Sequence, residues 1–224
     1  MEKVIDFNKE FGGINRGKPC LVMGNGPSIN QYPKKVYEQF YTIGVNYIYL
    51  YDGFCPNMYL CCADTPAPYE HDAFIKNVLP YAITVGVQGK FPCDELCDLL
   101  ITHSQHDLTM KSIERGYLWS RGSVVNFGLH LAVIMESDPI ILIGCDGYLE
   151  NQPYYFYLDQ PNQPATKQVL EKNKTHSGIY QQVKHAKETL DQQGEPHVRL
   201  LSASNLSVCN DFLEKVDLNT FNHS

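Results

Sequence analysis

Predominantly apolar runs of four to seven residues recur along the chain and alternate with segments long enough to form helices. Runs that are apolar at most positions are typical of strands buried on both faces, as in a parallel sheet. The runs occupy residues 20–23, 41–45, 57–62, 81–87, 139–143 and 198–201. The alternation predicts an α/β fold, in which a Rossmann-like, mostly parallel sheet carries helices on both faces.

Two segments carry clear helical signals. Residues 123–136 repeat apolar side chains at helical spacing, at Val124, Phe127, Leu131 and Ile134. Residues 179–193 form a second helical segment, which Gly194 and Pro196 are expected to end. We expect a final strand and then a short helix near residues 207–215 to close the fold.

The bulk composition limits the class of protein. A chain of 224 residues with 43% hydrophobic content fits one domain, residues 1–224. The formal net charge of -7 argues against a nucleic-acid partner, because phosphate binding needs a basic surface. Residues 1–13 have no apolar signal core and no stretch reaches transmembrane length, so we expect a cytoplasmic protein without a transmembrane segment. The sequence is compatible with either a monomer or a homo-oligomer.

The chain has eight cysteines, which could form disulfides, bind a metal or lie buried as thiols. Cys93 and Cys97 have a loosely zinc-like spacing, but no second pair follows at a matching distance. Without a secretory signal, reduced thiols are expected. The sequence therefore predicts no metal site.

One long interval lacks both helical and strand periodicity. Residues 148–175 combine many aromatic side chains with three prolines and a polar Asn/Gln/Pro patch. Long irregular segments inside α/β domains are often lids or binding loops. We therefore predict a lid over residues 149–175.

The stretch Gly24-Asn25-Gly26-Pro27-Ser28 follows the first predicted strand directly. It does not match the dinucleotide-binding fingerprint, because Ile29 occupies the position of the third glycine, and no Gly-Lys-Ser/Thr follows as in a P-loop. A tight turn and a ligand-binding loop are both open interpretations of these residues.

Polar side chains gather where predicted strands end. Such residues can cap helices or form turns, but the carboxyl ends of parallel strands share one edge of a sheet, where α/β folds bind ligands. Amide and carboxylate groups suit a nucleoside, and the loop amides of Gly24 and Gly26 suit its phosphate. The candidates for a nucleotide site are Gly24, Asn25, Gly26, Ser28, Asn46, Asp64, Ser123 and Asp146.

Two further residues precede predicted helices. Arg121 lies just before the helix that Ser123 is placed to cap, where an arginine and a helix N-terminus together suit an anion; a solvent-facing arginine is the other interpretation. His176 comes before the helix at 179 and could act as a general base or only pack there.

These residues form a series of short motifs whose order and spacing along the chain are similar to those of a known family. They are Gly24-Asn25-Gly26-Pro27-Ser28, Asn46 after Gly44-Val45, Arg121 with Ser123, Gly144-Cys145-Asp146-Gly147-Tyr148, Tyr154, and Thr175-His176-Ser177. In these motifs, over residues 19–215, the chain resembles the bacterial sialyltransferases of glycosyltransferase family 42. Asp64 stands where that family has an asparagine.

The resemblance implies a CMP-activated sugar as donor, a glycan as acceptor, and no cofactor or metal. It implies that Asn25 and Asn46 contact the nucleotide and that His176 is the catalytic base. Tyr148 and Tyr154 would donate hydrogen bonds to the departing phosphate, where they stabilise developing charge.

A second resemblance gives a different expectation. The opening Gly-x-Gly-Pro-Ser and the strand Pro139-Ile-Ile-Leu-Ile-Gly-Cys-Asp146 are also similar to 6-hydroxymethyl-dihydropterin pyrophosphokinases and to the related domain of flagellin glycosylation factors. That family implies ATP and magnesium, for which Asp64 and Asp146 are the available carboxylates. A non-catalytic nucleotide-binding module is the third hypothesis.

Overall fold

The architecture is built on one sheet whose neighbouring strands are all parallel. In this computed structural model the described residues are 6–51, 54–61, 78, 80–87, 96–101, 123–147, 155–156, 178–192 and 198–221. The strands are β1 (Cys20–Met23), β2 (Tyr41–Val45), β3 (Met58–Cys61), β4 (Ile83–Val87), β5 (Leu99–Ile101), β6 (Ile140–Ile143), β7 (Leu200–Ser202) and β8 (Glu214–Lys215). Their spatial order is β5-β4-β3-β2-β1-β6-β7-β8.

The strand order reverses direction next to β1. From β1 the chain builds outward through β2 to β5, and it then returns to place β6 on the other side of β1. In the register, Cys20 of β1 lies opposite both Tyr41 of β2 and Ile140 of β6. The gap between β1 and β6 at the carboxyl edge is therefore the topological switch point, where α/β sheets bind ligands.

Helices cover both faces of the sheet. The α-helices in the described residues are α1 (Phe7–Phe11), α2 (Lys34–Tyr37), α3 (Val124–Ile134) and α4 (Ile179–Gln192), and 310 helices span Pro27–Gln31, Asn46–Leu50 and Val208–Asp211. No helix in these residues has both the length and the apolar character needed to cross a bilayer.

Alternate side chains of β1 supply two separate cores. Val22 packs with residues of α3 and α4 on one face, whereas Leu21 and Met23 pack on the other face with aromatic side chains that include Tyr37 of α2. Helix α3 lies close to the sheet at Gly128, where an added Cβ would be 2.9 Å from the Val22 side chain. The predicted fold class, a Rossmann-like sheet covered on both faces, is confirmed.

The local predictions are mostly confirmed, with corrections at the sheet edges. The predicted runs contain β1, β2, β3, β4 and β6 and overlap β7, and the two predicted helices are α3 and α4. The helix predicted near 207–215 is confirmed in part: Ser207 caps a short 310 helix, Val208–Asp211, and the end of the range, Glu214–Lys215, pairs with β7 as a strand. The edge strands β5 and β8 were not predicted, because two or three residues carry no periodicity. The predicted lid lies outside the described residues except for Tyr155 and Phe156.

Candidate functional site

A cavity of about 280 Å³ opens at the switch point between β1 and β6. Its walls come from the turns after β1, β2 and β6 and from the first residues of α3 and α4. The lining residues include Gly24, Asn25, Gly26, Asn46, Ser123, Gly144, Asp146, Gly147, Tyr155, Gly178 and Gln182. Six of the eight sequence-predicted nucleotide-site residues therefore line one cavity, namely Gly24, Asn25, Gly26, Asn46, Ser123 and Asp146.

The turns after β1 and β6 pack backbone against backbone. The Gly24 N–H donates to the Ile143 carbonyl at 2.8 Å, and the Gly26 N–H donates to the Gly144 carbonyl at 2.7 Å. Gly144 has a φ of +68°, and a Cβ there would lie 2.6 Å from the Gly24 carbonyl oxygen. Only glycine fits such a close approach, so the Gly-Asn-Gly-Pro-Ser turn joins two strand ends.

This packing corrects the predicted role of the loop amides. The sequence suggested that the N–H groups of Gly24 and Gly26 bind a phosphate, but both donate to backbone carbonyls within the protein. A phosphate could take these donors only by breaking the contacts that hold β1 against β6. The two glycines therefore shape the cavity wall through their small size.

The side chains of Ser28 and Asp146 connect the same two turns by hydrogen bonds. The Asp146 carboxylate accepts the Ser28 N–H at 2.8 Å, and the Ser28 hydroxyl oxygen accepts the Gly144 N–H at 2.8 Å. Ser28 is fully buried and is not among the residues that line the cavity, whereas Asp146 lines it and is 1% exposed. Both side chains, predicted from the sequence as nucleotide ligands, thus bind protein groups of the site's framework.

The turn after β7 joins this network through Ser204 and Ser207. The Ser204 hydroxyl donates to the Asp146 carboxylate at 2.6 Å and accepts the Ser207 N–H at 2.9 Å. The Ser207 hydroxyl donates to the Cys145 carbonyl at 2.7 Å. Asp146 therefore connects the ends of β1, β6 and β7. The turn Ser202-Ala203-Ser204-Asn205-Leu206 resembles the serine-containing turn of glycosyltransferase family 42, but the sequence gave Ser204 and Ser207 no role in the site, because their partners are about 60 residues away in the chain.

Burial controls the ionisation of Asp146. Desolvation raises the pKa of its carboxyl group, and the hydrogen bonds from Ser204 and Ser28 oppose that rise. The folded protein therefore holds this proton more tightly than the unfolded chain does. The associated stability is fully present below the unfolded pKa, about 3.9, and is lost as pH rises through the raised folded value.

Replacing Asp146 by asparagine is expected to destabilise the protein by about 1–3 kcal/mol, because one donor of Ser28 or Ser204 would then face an amide NH₂ group. Urea unfolding at several acidic pH values measures the free energy of unfolding of both proteins. The difference between the wild type and Asp146→Asn should become smaller as pH rises, since only the wild-type chain loses a proton at position 146. Equal stability of the two proteins throughout would contradict the network.

Asn25 joins the end of β1 to the end of β2. Its side-chain NH₂ donates to the Val45 carbonyl at 2.9 Å, and its side-chain oxygen accepts the Tyr47 N–H at 3.2 Å. Its backbone carbonyl accepts the Phe156 N–H at 3.0 Å, which places Tyr155 and Phe156 against this turn. Asn25 is partly exposed at the cavity, so one amide both builds the wall and faces the interior of the site.

Asn46 has an unusual backbone conformation at the cavity edge. Its φ is +49°, a left-handed conformation that asparagine tolerates better than most residues. The hydroxyl of the buried Tyr59 donates to the Asn46 carbonyl at 2.5 Å. Non-glycine residues in this conformation concentrate at functional sites, so Asn46 remains a candidate for ligand contact on structural grounds as well.

Two helix N-termini and one buried carboxyl group determine the electrostatics of the described part of the cavity. Among the described lining residues, Asp146 is the only charged one. The N-termini of α3, capped by the Ser123 hydroxyl on the Val125 N–H, and of α4, beginning at Ile179, both reach the cavity. Each helix start carries partial positive charge. Asp64, Arg121, Tyr148, Tyr154 and His176, the other predicted site residues, lie outside the described residues.

Comparison with known proteins gives structural relatives. No protein-family model matches the sequence, and no curated protein does. The sialyltransferase CstII from Campylobacter jejuni, in complex with the substrate analogue CMP-3FNeuAc, superposes with a TM-score of 0.55 at 14% identity, covering 92% of this chain and 89% of that chain. The monofunctional α-2,3-sialyltransferase Cst-I from the same organism gives 0.54 at 12% identity, covering 93% and 83%.

A MAf glycosyltransferase from Magnetospirillum magneticum AMB-1 superposes with a TM-score of 0.66 at 14% identity. The match covers 100% of this chain and 36% of that one, so the chain spans about a third of that protein. The chain has the fold of these glycosyltransferases. Sequence identity this low shows the shared fold, and function must be argued from the site.

Proposed function

We propose that this protein is a glycosyltransferase that transfers a nonulosonic acid, such as sialic acid, from its CMP-activated form to a hydroxyl of a glycan acceptor. The observation that carries the proposal is the cavity at the β1/β6 switch point, where six of the predicted nucleotide-site residues converge. Its support is the shared fold with CstII, which was solved in complex with a CMP-sugar analogue. The proposal assigns no cofactor and no metal.

The cavity has suitable chemistry for the nucleotide part of such a donor. Asn25 and Asn46 offer amides that can pair with nucleoside hydroxyls and ring edges. The proposal assigns Asp64, which lies outside the described residues, to a sugar hydroxyl. Ser123 and the start of α3 suit the phosphate, because a helix N-terminus favours negative charge. Gly24, Gly26, Ser28 and Asp146 would keep these groups in place.

The proposed reacting groups are close to lining residues in the sequence. Tyr148 follows Gly147, Tyr154 precedes Tyr155, Arg121 is two residues before Ser123 and His176 is two residues before Gly178. Each of the four is one or two positions away from a lining residue in the sequence, and the proposal assigns the reacting groups to them for this reason.

These groups can perform the transfer in one balanced step. The acceptor oxygen forms a bond to the anomeric carbon of the sugar while the bond from that carbon to the phosphate oxygen breaks, and CMP leaves with the electron pair. His176 takes the proton of the attacking hydroxyl as general base. Hydrogen bonds from Tyr148 and Tyr154, together with the charge of Arg121, stabilise the negative charge that grows on the departing phosphate.

Calorimetric titration tests the nucleotide preference. We expect CMP to bind without magnesium, and Asn46→Ala to weaken that binding by about 1–3 kcal/mol, because a ligand group is left unpaired. Asn8→Ala, which changes an exposed asparagine of α1, serves as the control and should bind CMP normally. Magnesium-dependent ATP binding without CMP binding would contradict the proposal and favour the pyrophosphokinase.

A further inference from the structure

A second cavity, of about 420 Å³, lies near the end of the 310 helix that follows the β1 turn. Its described lining residues are mainly polar, and they include Gln31, Tyr32, Asn205, Lys215, Asp217 and Asn219. None of these residues belongs to the cavity at the switch point. The proposed donor site therefore leaves this cavity unassigned.

The two cavities share one edge of the sheet. Asn205 follows β7, and Lys215 is the last residue of β8, so both lie at the carboxyl ends of parallel strands. The helix Pro27–Gln31 starts directly after Gly26 of the first cavity and ends at Gln31 of the second. Five residues of 310 helix rise about 10 Å, and this length gives the approximate distance between the two cavities.

The side chains of the second cavity include both hydrogen-bond donors and acceptors, and their formal charges cancel. Gln31, Asn205 and Asn219 carry amides, each with both donor and acceptor atoms. One ammonium group, on Lys215, is matched by one carboxylate, on Asp217. A phosphate needs an excess of positive charge and an apolar ligand needs an apolar lining, so this composition suits a neutral ligand rich in hydroxyl groups.

Hydrogen bonds connect several residues of the second cavity. The Gln31 side-chain oxygen accepts the Asn205 N–H at 3.1 Å, and the Asp217 carboxylate accepts the Asn219 backbone N–H at 3.0 Å and the Asn219 side-chain NH₂ at 3.1 Å. The Tyr32 hydroxyl donates to the Ala203 carbonyl at 3.4 Å. Among the described residues, no hydrogen bond uses the side-chain amide of Asn205, which is exposed. The existing hydrogen bonds order part of the wall before a ligand binds, which reduces the entropy lost on binding, and the Asn205 side-chain amide can contact the ligand.

We propose that this second cavity is a carbohydrate subsite, which binds neutral sugar units of the acceptor at a distance from the reacting hydroxyl. This assignment rests on the proposed glycosyltransferase function. Contacts with a remote part of the substrate can lower KM, and where they also orient the reacting hydroxyl they raise kcat. The subsite should therefore raise kcat/KM for long acceptors relative to short ones.

Amide chemical-shift titration of the full chain tests the subsite directly. The probes are lactose, N-acetyllactosamine and maltotriose as neutral glycans, with CMP and inorganic phosphate as anions. We expect at least one glycan to shift the amide signals of Gln31, Asn205 and Asn219. Asn205→Ala, which keeps the backbone N–H bonded to Gln31, should weaken that glycan roughly tenfold, the equivalent of about 1.4 kcal/mol.

The matched control is Gln192→Ala, which removes an exposed amide at the end of α4 and should bind the glycan normally. The subsite is overturned if none of the three glycans shifts these signals, if phosphate shifts them instead, or if Asn205→Ala binds like the wild type. The same titration tests the proposed function separately: if CMP does not shift the amide signals of Gly24 and Asn46, the proposed donor site is contradicted.

Discussion

Replacing His176 by alanine is expected to slow sugar transfer roughly 10²- to 10⁴-fold while CMP binding is retained. A general base contributes on that order because it removes the proton of the attacking hydroxyl as the new bond forms. Transfer from a CMP-sugar donor, measured as CMP released per folded molecule, gives the rate, and calorimetry on the same sample gives the affinity. The wild-type rate should also show a base ionising near neutral pH, and that limb should vanish in the variant.

Three further variants separate catalysis from packing. His185→Ala changes a histidine of α4 that does not line the cavity, and it should transfer sugar at the wild-type rate. Tyr148→Phe and Tyr154→Phe should slow transfer with smaller effects on donor binding, because their hydroxyls act on charge that develops in the transition state. If His176→Ala lowers the melting temperature but leaves the rate intact, His176 only packs at the helix start and is not the base.

Replacing Gly144 by alanine is expected to destabilise the protein by about 2–5 kcal/mol. About 1–2 kcal/mol comes from the left-handed backbone, and about 1–3 kcal/mol comes from overpacking against the neighbouring turn. The structural basis is the φ of +68° and the 2.6 Å approach of the new Cβ to the Gly24 carbonyl oxygen. For a chain of this size the melting temperature should fall on the order of 5–15 °C. CMP binding should weaken too, because the two turns form the cavity wall.

Gly17→Ala isolates the contribution of the close contact. Gly17 has a similar φ of +67°, but nothing lies within 4 Å of a Cβ added there. This control should lose only the backbone part, about 1–2 kcal/mol. Thermal or urea unfolding of both variants gives the difference. Equal losses in the two proteins would show that the packing of β1 against β6 does not require glycine at position 144.

The pattern of the sequence predicted the sheet well where several residues repeat a signal. The run of residues 20–23 is apolar throughout, and all four residues are buried in β1. Helix α3 begins just after its predicted cap, where the Ser123 hydroxyl accepts the Val125 N–H. The two-residue strand β8 gave no such signal, because its side chains are charged and exposed and only its pairing with β7 makes it a strand.

For the site, the sequence determined which residue types follow the ends of the strands, and so predicted a cavity with glycines and asparagines around it. Only the tertiary structure decided what those residues do. Ser28 and Asp146 are 118 residues apart in the chain and bind each other through the Asp146 carboxylate and the Ser28 N–H. The backbone N–H groups of Gly24 and Gly26 donate to carbonyls, and the Asn25 side-chain NH₂ donates to the Val45 carbonyl at the end of β2. Periodicity and turn chemistry act between near neighbours, whereas these partners are fixed by the packing of strands from distant parts of the chain.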